Sequence, residues 1–386
     1  MKETFNIPGR IKLLALLLTG LGVLAVITGF VTDQPRMWTS LLINNFYYLS
    51  LALGAVFFLA LQYVTDSRWS AMFNRIPEAM ASFVPAAFIF MIILFPGMSV
   101  IYEWAEPGIA ERDALIAHKS PYLNIPFFFV RMVLLFSLWI LLIFMIRRHS
   151  LNQEIVDGAA WFKKSRHYSM VFIFVFALTF SVASFDWIMS IDSHWFSTIF
   201  GIRAIISSLY YSVAAIILLV LSLNSAGYLK ALNKYHLNDF SRYLFRLSIV
   251  FGYLWFMQYF IIWYANIPET TFYYVYRVNQ PWTFLFYAEL IINWTIPFLA
   301  LMSDDAGRRK IVLIPVSIVV LAGFYISLYI QIIPGSIGEL RIGFIELGSF
   351  AGFAGLFILI FMNSLSRAPL LTENHPFMKE SLDHHL

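Results

Sequence analysis

Ten apolar runs, each long enough to cross a bilayer, leave this chain very few ways to fold. They lie at 11–30, 39–64, 77–98, 122–146, 169–191, 197–224, 240–265, 281–302, 311–332 and 342–363. Each reaches the roughly 20 residues that a helix needs to span the hydrocarbon core. Lipid offers an open backbone no hydrogen-bond partner, so each run must cross as a helix that satisfies its own backbone. Composition points the same way: 60% of the residues are hydrophobic and 12% are charged, where a soluble domain carries about 25% charged residues. No polar stretch is long enough to build a separate core, so residues 1–386 read as a single integral membrane domain. The expected fold class is all-α: a polytopic membrane protein of about ten transmembrane helices. Pro85, Pro126, Pro297 and Pro315 fall inside runs, where kinks are expected and neighbouring helices can satisfy the freed backbone groups.

Lysine and arginine set the expected orientation. Most of the 26 basic residues fall in the N-terminus, in the loops near 65–76, 147–168, 225–246 and 303–310, and in the tail from 366. The opposite segments carry only Arg36, Arg112, Lys119, Arg277 and Arg341, beside acidic and aromatic loops at 101–119 and 266–280. Both termini are therefore expected to be cytoplasmic. The charged start Lys2, Arg10, Lys12 looks like a signal peptide, but the run after it is long and lacks a small-x-small cleavage site, so a retained helix is expected. The segment 152–164 mixes Ile155, Val156, Trp161 and Phe162 with charges and reads equally as a surface helix or a plain loop. The polar tail after Ser366 is expected to be extended, ordering only against a partner.

Cysteine is absent, which excludes disulfides, thiolate iron–sulfur ligation, c-type haem attachment and a cysteine nucleophile. The net charge of +4 reflects loop asymmetry and not nucleic-acid binding. His118, His149, His167, His194, His236, His375, His384 and His385 all read as loop, turn or tail residues. A membrane haem needs axial ligands inside the bundle, so no haem and no metal site are expected in this chain.

Five ionisable residues fall inside the expected spans: Arg131, Asp186, Arg203, Glu289 and Glu346. With the orientation above, all five lie in the outer half of the bilayer, and Asp192 and His194 sit on the turn beyond Asp186. Intramembrane charges are costly and are usually tied to transport or redox work. Two readings follow: arginines that only pin helices by neutralising acids, or a polar pocket or proton path open to the outside. Asp186 is expected within reach of Arg131 or Arg203. Glu289 and Glu346 are expected to be tuned by the same two arginines. His194 reads first as an interfacial histidine bonded to a neighbouring acid. Tyr210, Tyr211, Tyr253, Trp255, Tyr259, Trp263 and Tyr264 read mostly as interfacial belt or packing, with a flat ligand's pocket as the other use.

The stretch 184–201 reads S-F-D-W-I-M-S-I-D-S-H-W-F-S-T-I-F-G. This block, with Phe185, Asp186, Trp187, Met189, Ser190, Asp192, His194, Trp195, Phe196, Ser197, Thr198, Phe200 and Gly201 at its fixed positions, resembles that of the NrfD/PsrC-like membrane subunits of bacterial alternative complex III. The resemblance covers the whole chain. It implies two four-helix bundles, helices two to five and six to nine, flanked by the first and last helices. It also implies a place in the inner membrane within a quinol:electron-acceptor oxidoreductase. The partners would be an NrfD-like paralogue, an iron–sulfur subunit and c-type cytochrome subunits, with lipids around them. Haem and iron–sulfur clusters would belong to those partners, and quinone or quinol is the one ligand this chain itself could meet. In that reading Asp186, Asp192 and His194 form an outer proton-path or quinone-proximal cluster, with Arg131, Arg203, Glu289 and Glu346 as its inner members, and the chain is not catalytic alone. A purely structural anchor is the alternative, as is a stand-alone secondary transporter, although no paired broken-helix signature at the midplane supports the latter.

Overall fold

A computed structural model describes residues 5–154, 158–372 and 374–385. The sequence expectations on Lys2, Ile155 and Val156 lie outside the described residues. Among the described residues there is no strand, and ten helices are long and apolar enough to cross a membrane. They are α1 (Gly9–Thr32), α2 (Gln34–Val64), α3 (Ala71–Ile93), α4 (Ile125–Asn152), α5 (Gly158–Trp187), α6 (Ile199–Ser225), α7 (Lys234–Ala265), α8 (Thr283–Leu301), α9 (Lys310–Ser336) and α10 (Phe344–Leu365). The chain is a multi-pass helical membrane protein.

Several helices outrun the apolar runs that announced them, because hydropathy registers only the lipid-buried part of a helix. The Asp33 side chain caps α2 by accepting from the Arg36 amide, and Pro35 occupies its first turn. Asn124 caps α4 by accepting from the Phe127 amide at 2.9 Å. Pro126 therefore starts that helix and does not kink it. Asn233 accepts from the amides of Tyr235 and His236, so α7 starts six residues before its apolar run. Pro85 does mark a break: α3 passes through a 3₁₀ turn at Ala81–Phe83 just before it. Pro315 is accommodated within α9, as is Pro334.

Helices α2 to α5 close into one four-helix ring and α6 to α9 into another, with α2 facing α6 and α9 across the seam. This is the two-bundle arrangement that the resemblance implied. Almost all of α2 is buried, because it also packs on α10. Its polar groups hold the seam and the contact with α10. Asn44 donates to Ser349 Oγ at 2.8 Å, Tyr47 donates to the Leu321 carbonyl at 3.0 Å, and Ser212 of α6 donates back to the Leu51 carbonyl at 2.9 Å. In a bilayer such interhelical bonds, and not hydrophobicity, distinguish one helix neighbour from another, at roughly 0.6–2 kcal/mol each. Helix α1 lies outside both rings, pressed along α10, where Gly22 and Gly352 meet backbone to backbone with no room for a Cβ on either.

The tail departs from its expected extended state. It folds back over the α2–α3 and α6–α7 ends of the molecule, burying Leu370, His375 and Met378. The short helix Met378–Leu382 is tied down by Ser381, whose hydroxyl donates to the Trp69 carbonyl at 2.9 Å and accepts from the Met72 amide at 3.1 Å. Three histidines expected in loops, turns or the tail lie instead within long helices: His149 in α4, His167 in α5 and His236 in α7. His236 is buried in the first turn of α7 at 3.0 Å from the Ser381 carbonyl. His149 stacks on Trp161 in the last turn of α4.

Candidate functional site

The 184–201 block runs from the end of α5 through a 3₁₀ turn, Met189–Ile191, into the start of α6. Much of it is spent on building that corner. Trp187 is fully buried and stacks on Phe136, while its carbonyl accepts from the Tyr102 hydroxyl at 3.0 Å. Ser190 donates to the Asp186 carbonyl at 2.6 Å and accepts from the Trp104 indole at 3.2 Å. A Cβ at Gly201 would press on Ser181 and the Phe185 ring, so glycine is what lets α6 approach α5 here.

The corner directs its ionisable side chains to different partners. Asp186 is 1% exposed and accepts from Arg131 Nε at 2.6 Å, one of the two pairings expected for it. Arg131 also donates to the Tyr122 carbonyl at 2.9 Å and lies over the Tyr122 ring at 3.9 Å. Asp186 Oδ1 and Arg131 Nη2 remain buried without a hydrogen-bond partner. Asp186 is also one of the residues lining a pocket of ≈ 360 Å³, within the usual size for small-ligand sites. Its walls include Tyr122, Phe185, Met189, Trp195 and Phe196, with Lys119 at one side. Burial, with the Asp186 charge adding, pushes the Tyr122 phenol up to about 12, so it stays a neutral donor. Burial pulls the Lys119 ammonium below its usual value, and it donates to the Ser193 carbonyl at 2.6 Å.

Asp192 and His194 do not join Asp186 in one cluster, as the sequence had suggested. The 3₁₀ turn rotates Asp192 toward the second bundle, where it accepts from Arg277 Nη2 at 2.8 Å. Arg277 sits on Pro268–Val278, a short helix lying between α7 and α8. It is 2% exposed, donates to the carbonyls of Tyr273, Ile330 and Gln331, and covers the Tyr273 ring at 3.5 Å. On its other face that ring stacks on Trp195 at 3.7 Å. His194 points away, 2.7 Å from Asp113 Oδ2, which makes it the interfacial, acid-bonded histidine expected. Asp113 also caps the Ala114–Lys119 helix. The Ile116 amide, followed by His194, holds its carboxyl below the usual range.

The second buried pair lies in the other ring. Arg203 of α6 donates to Glu289 Oε1 and, at 3.1 Å, to Gln258 Oε1. The Glu289 carboxylate also accepts from Trp255 Nε1 at 2.9 Å and from the Ser327 hydroxyl at 2.6 Å. Behind it, α8 contains a π-helical turn at Ile291–Thr295, a distortion common at functional sites. Pro297 cannot donate to the Asn293 carbonyl, and the Tyr210 hydroxyl does so instead at 2.9 Å. Trp255 and Tyr210, which read as belt residues in the sequence, thus serve the Glu289 site. A small cavity of ≈ 20 Å³, room for about one water, lies between the rings against Ser184, Arg203, Ser327 and Gln331.

Glu346 belongs to neither pair. It is held in a fork by Arg36, Nε to Oε1 at 3.0 Å and Nη2 to Oε2 at 2.8 Å, and accepts from the Gly343 amide at 2.8 Å. It pins α10 to the start of α2 and does not meet Arg131 or Arg203, which are engaged by Asp186 and Glu289. The one-sided set of in-span charges is also incomplete. Glu78 is buried at the opposite end of α3, bound by Arg75 at 2.8 Å and by Ser150.

No family model matches the chain, and no curated protein matches it.

Proposed function

We propose that the chain is an NrfD/PsrC-like membrane subunit of a quinol:electron-acceptor oxidoreductase of the bacterial alternative complex III type, most like its F subunit. In this reading it contributes to quinol oxidation, to proton translocation, or to both. The observation that carries the proposal is the Asp186 pocket: a mostly apolar chamber of ≈ 360 Å³ lined by a buried aspartate that is paired to Arg131 through one oxygen only. A quinol's ring suits such walls, and its hydroxyl is a donor suited to the Asp186 carboxylate that lines them. Oxidising a quinol releases protons and electrons together. Asp186 would receive a proton, with Arg131 holding the carboxylate in place, and Tyr122 and Lys119 would orient the ring oxygens. The electrons would go to iron–sulfur and c-type haem groups in partner subunits, because this sequence has no cysteine to ligate an iron–sulfur cluster or attach a c-type haem. With both termini placed in the cytoplasm by the positive-inside rule, the pocket faces the periplasmic side of the inner membrane.

A structural anchor is the competing reading, favoured by the arginine that each buried acid possesses. Asp186→Asn separates the two. The amide keeps an acceptor for Arg131, so in a pin the loss falls on complex stability while turnover per assembled complex holds. In a proton-accepting site the complex assembles but turnover falls, and the pH dependence of the remaining rate shifts. Normal quinol oxidation with an unshifted pH profile in assembled Asp186→Asn complex would defeat the proposal.

A further inference from the structure

At the end of the bundle opposite Asp186, α4, α10 and the 3₁₀ turn of α3 enclose a second pocket, of ≈ 550 Å³. Its polar lining is basic: Arg147 and Arg148 from the last turns of α4, and Arg367 just past the end of α10. No aspartate or glutamate lines it. Among the described residues, none of these three arginines has a carboxylate within ion-pair distance. Glu78, the acid whose charge Arg147 feels, is already bound by Arg75 and Ser150. Arg147 forms the floor, donating to Ser82 Oγ at 2.6 Å and to the Ser364 carbonyl at 3.1 Å. Arg148 and Arg367 are exposed at the rim, and Arg367 lies close enough to Arg147 for the two charges to repel. Three like charges around one cavity are unfavourable until an anion fills it.

The remaining wall says which anion. Phe144 and Ile360 line the pocket on the bilayer side, and Phe144 continues an exposed apolar stripe of α4 through Leu141, Leu134 and Val130. An anion in this pocket therefore sits at the head of a lipid-facing groove. We propose that the pocket binds the phosphate of an anionic phospholipid, with Arg148 and Arg367 on the phosphate oxygens and the acyl chains along Phe144 and the α4 stripe. Basic pockets between transmembrane helices at the headgroup level have this chemistry, and guanidinium suits a phosphodiester through paired donors. By the proposed orientation the lipid lies in the cytoplasmic leaflet.

The test is a lipid titration of the purified full-length chain in detergent, read by native mass spectrometry. Dioleoyl phosphatidylglycerol and dioleoyl phosphatidylcholine are compared, each with and without millimolar inorganic phosphate. The wild-type chain is expected to retain phosphatidylglycerol in preference to phosphatidylcholine, and inorganic phosphate is expected not to displace it. Arg148→Gln with Arg367→Gln should weaken phosphatidylglycerol binding about 30-fold, ~1 kcal/mol for each arginine removed, and leave phosphatidylcholine unchanged. Arg148→Lys with Arg367→Lys should retain most of the preference, since the charge remains. Equal binding of the two lipids by the wild-type chain would overturn the proposal whether or not the glutamine variant folds. Undiminished phosphatidylglycerol binding by a folded glutamine variant would also overturn it. Displacement by inorganic phosphate would identify a free-anion site instead and reject the lipid.

Discussion

Glu289→Gln tests whether the Arg203–Glu289 pair is ionised in the folded chain. The wild-type carboxylate takes hydrogen bonds from Arg203, Trp255 and Ser327. Glutamine keeps one acceptor oxygen but turns an amide NH₂ toward a second donor, and it removes the negative charge. Arg203, 6% exposed, is then left with only the neutral Gln258 as a further partner. Breaking a buried ion pair from one side costs about 3–5 kcal/mol, most of it for the charge stranded without a counterion. Arg203→Gln should cost a similar amount by stranding Glu289. The double variant strands nothing, so its loss should be about 1–3 kcal/mol, the scale of imperfectly satisfied buried hydrogen bonds. The expected coupling between the two sites is therefore several kcal/mol, far beyond the few tenths that independent sites show. The assay is equilibrium unfolding of the purified chain in mixed detergent–SDS micelles, followed by tryptophan fluorescence. If Glu289→Gln alone is nearly neutral, the carboxyl is protonated in the wild-type fold and the ion-pair argument fails. If the double variant loses the sum of the two single losses, the residues do not act as a pair.

Reporter fusions after Leu151 and after Val275 should report opposite sides of the membrane, with the Leu151 site cytoplasmic; same-side signals would reject the ten-span topology. Gly335→Ala would place a Cβ 2.8 Å from both carboxylate oxygens of Asp192, which Arg277 holds in place, so a loss of about 1–3 kcal/mol is expected. Measured against Asp192→Ala alone, the same glycine substitution should cost much less, and an undiminished increment in that background would contradict the contact. In the tail, burial, with Arg75 adding, holds His375 down to about 4, against 6.5 unfolded. The unfolded tail binds more protons between these values, so docking is fully stabilised above pH 6.5 and weakens as pH falls toward 4; limited proteolysis near residue 370 should rise over that window, and equal nicking at both ends would refute the reading.

What hydropathy could and could not read follows from where water is. Within the bilayer, backbone self-satisfaction forces a helix from apolar content alone, so all ten spans were legible in the sequence. Outside it, helices continue for reasons that hydropathy does not see, such as the Asn233 and Asn124 caps. The tail shows the limit most plainly. Its residues are too polar to suggest a core, yet the Ser381 hydroxyl bonds the Trp69 carbonyl, the Ser381 carbonyl meets His236, and Met378 is buried beside them. No local pattern announces a contact between residues so far apart in sequence.

The site was legible as a set of charges but not as pairs. Asp186 beside Arg131 or Arg203 followed from depth, because buried opposite charges near the same level must meet or be neutralised; the choice of Arg131 comes from the fold. Depth said nothing about azimuth, and so Glu346 was assigned to the wrong arginines. Two partners, Arg277 and Asp113, escaped because they lie in segments that read as loops. One signal was present. The 184–201 block carries two acids and one histidine, so Asp192 needs a cation from elsewhere, and the 266–280 loop contains a single basic residue, Arg277, among tyrosines. A lone arginine between aromatic residues suits a buried counterion, because the rings shield it from water and accept its charge on their faces. The geometry also changes what the block means. Asp192 is bound to Arg277, and His194 to Asp113. Asp186 is the most deeply buried of the three and the one that lines a pocket of ligand size. Of the three, it is therefore the one with chemistry left to do.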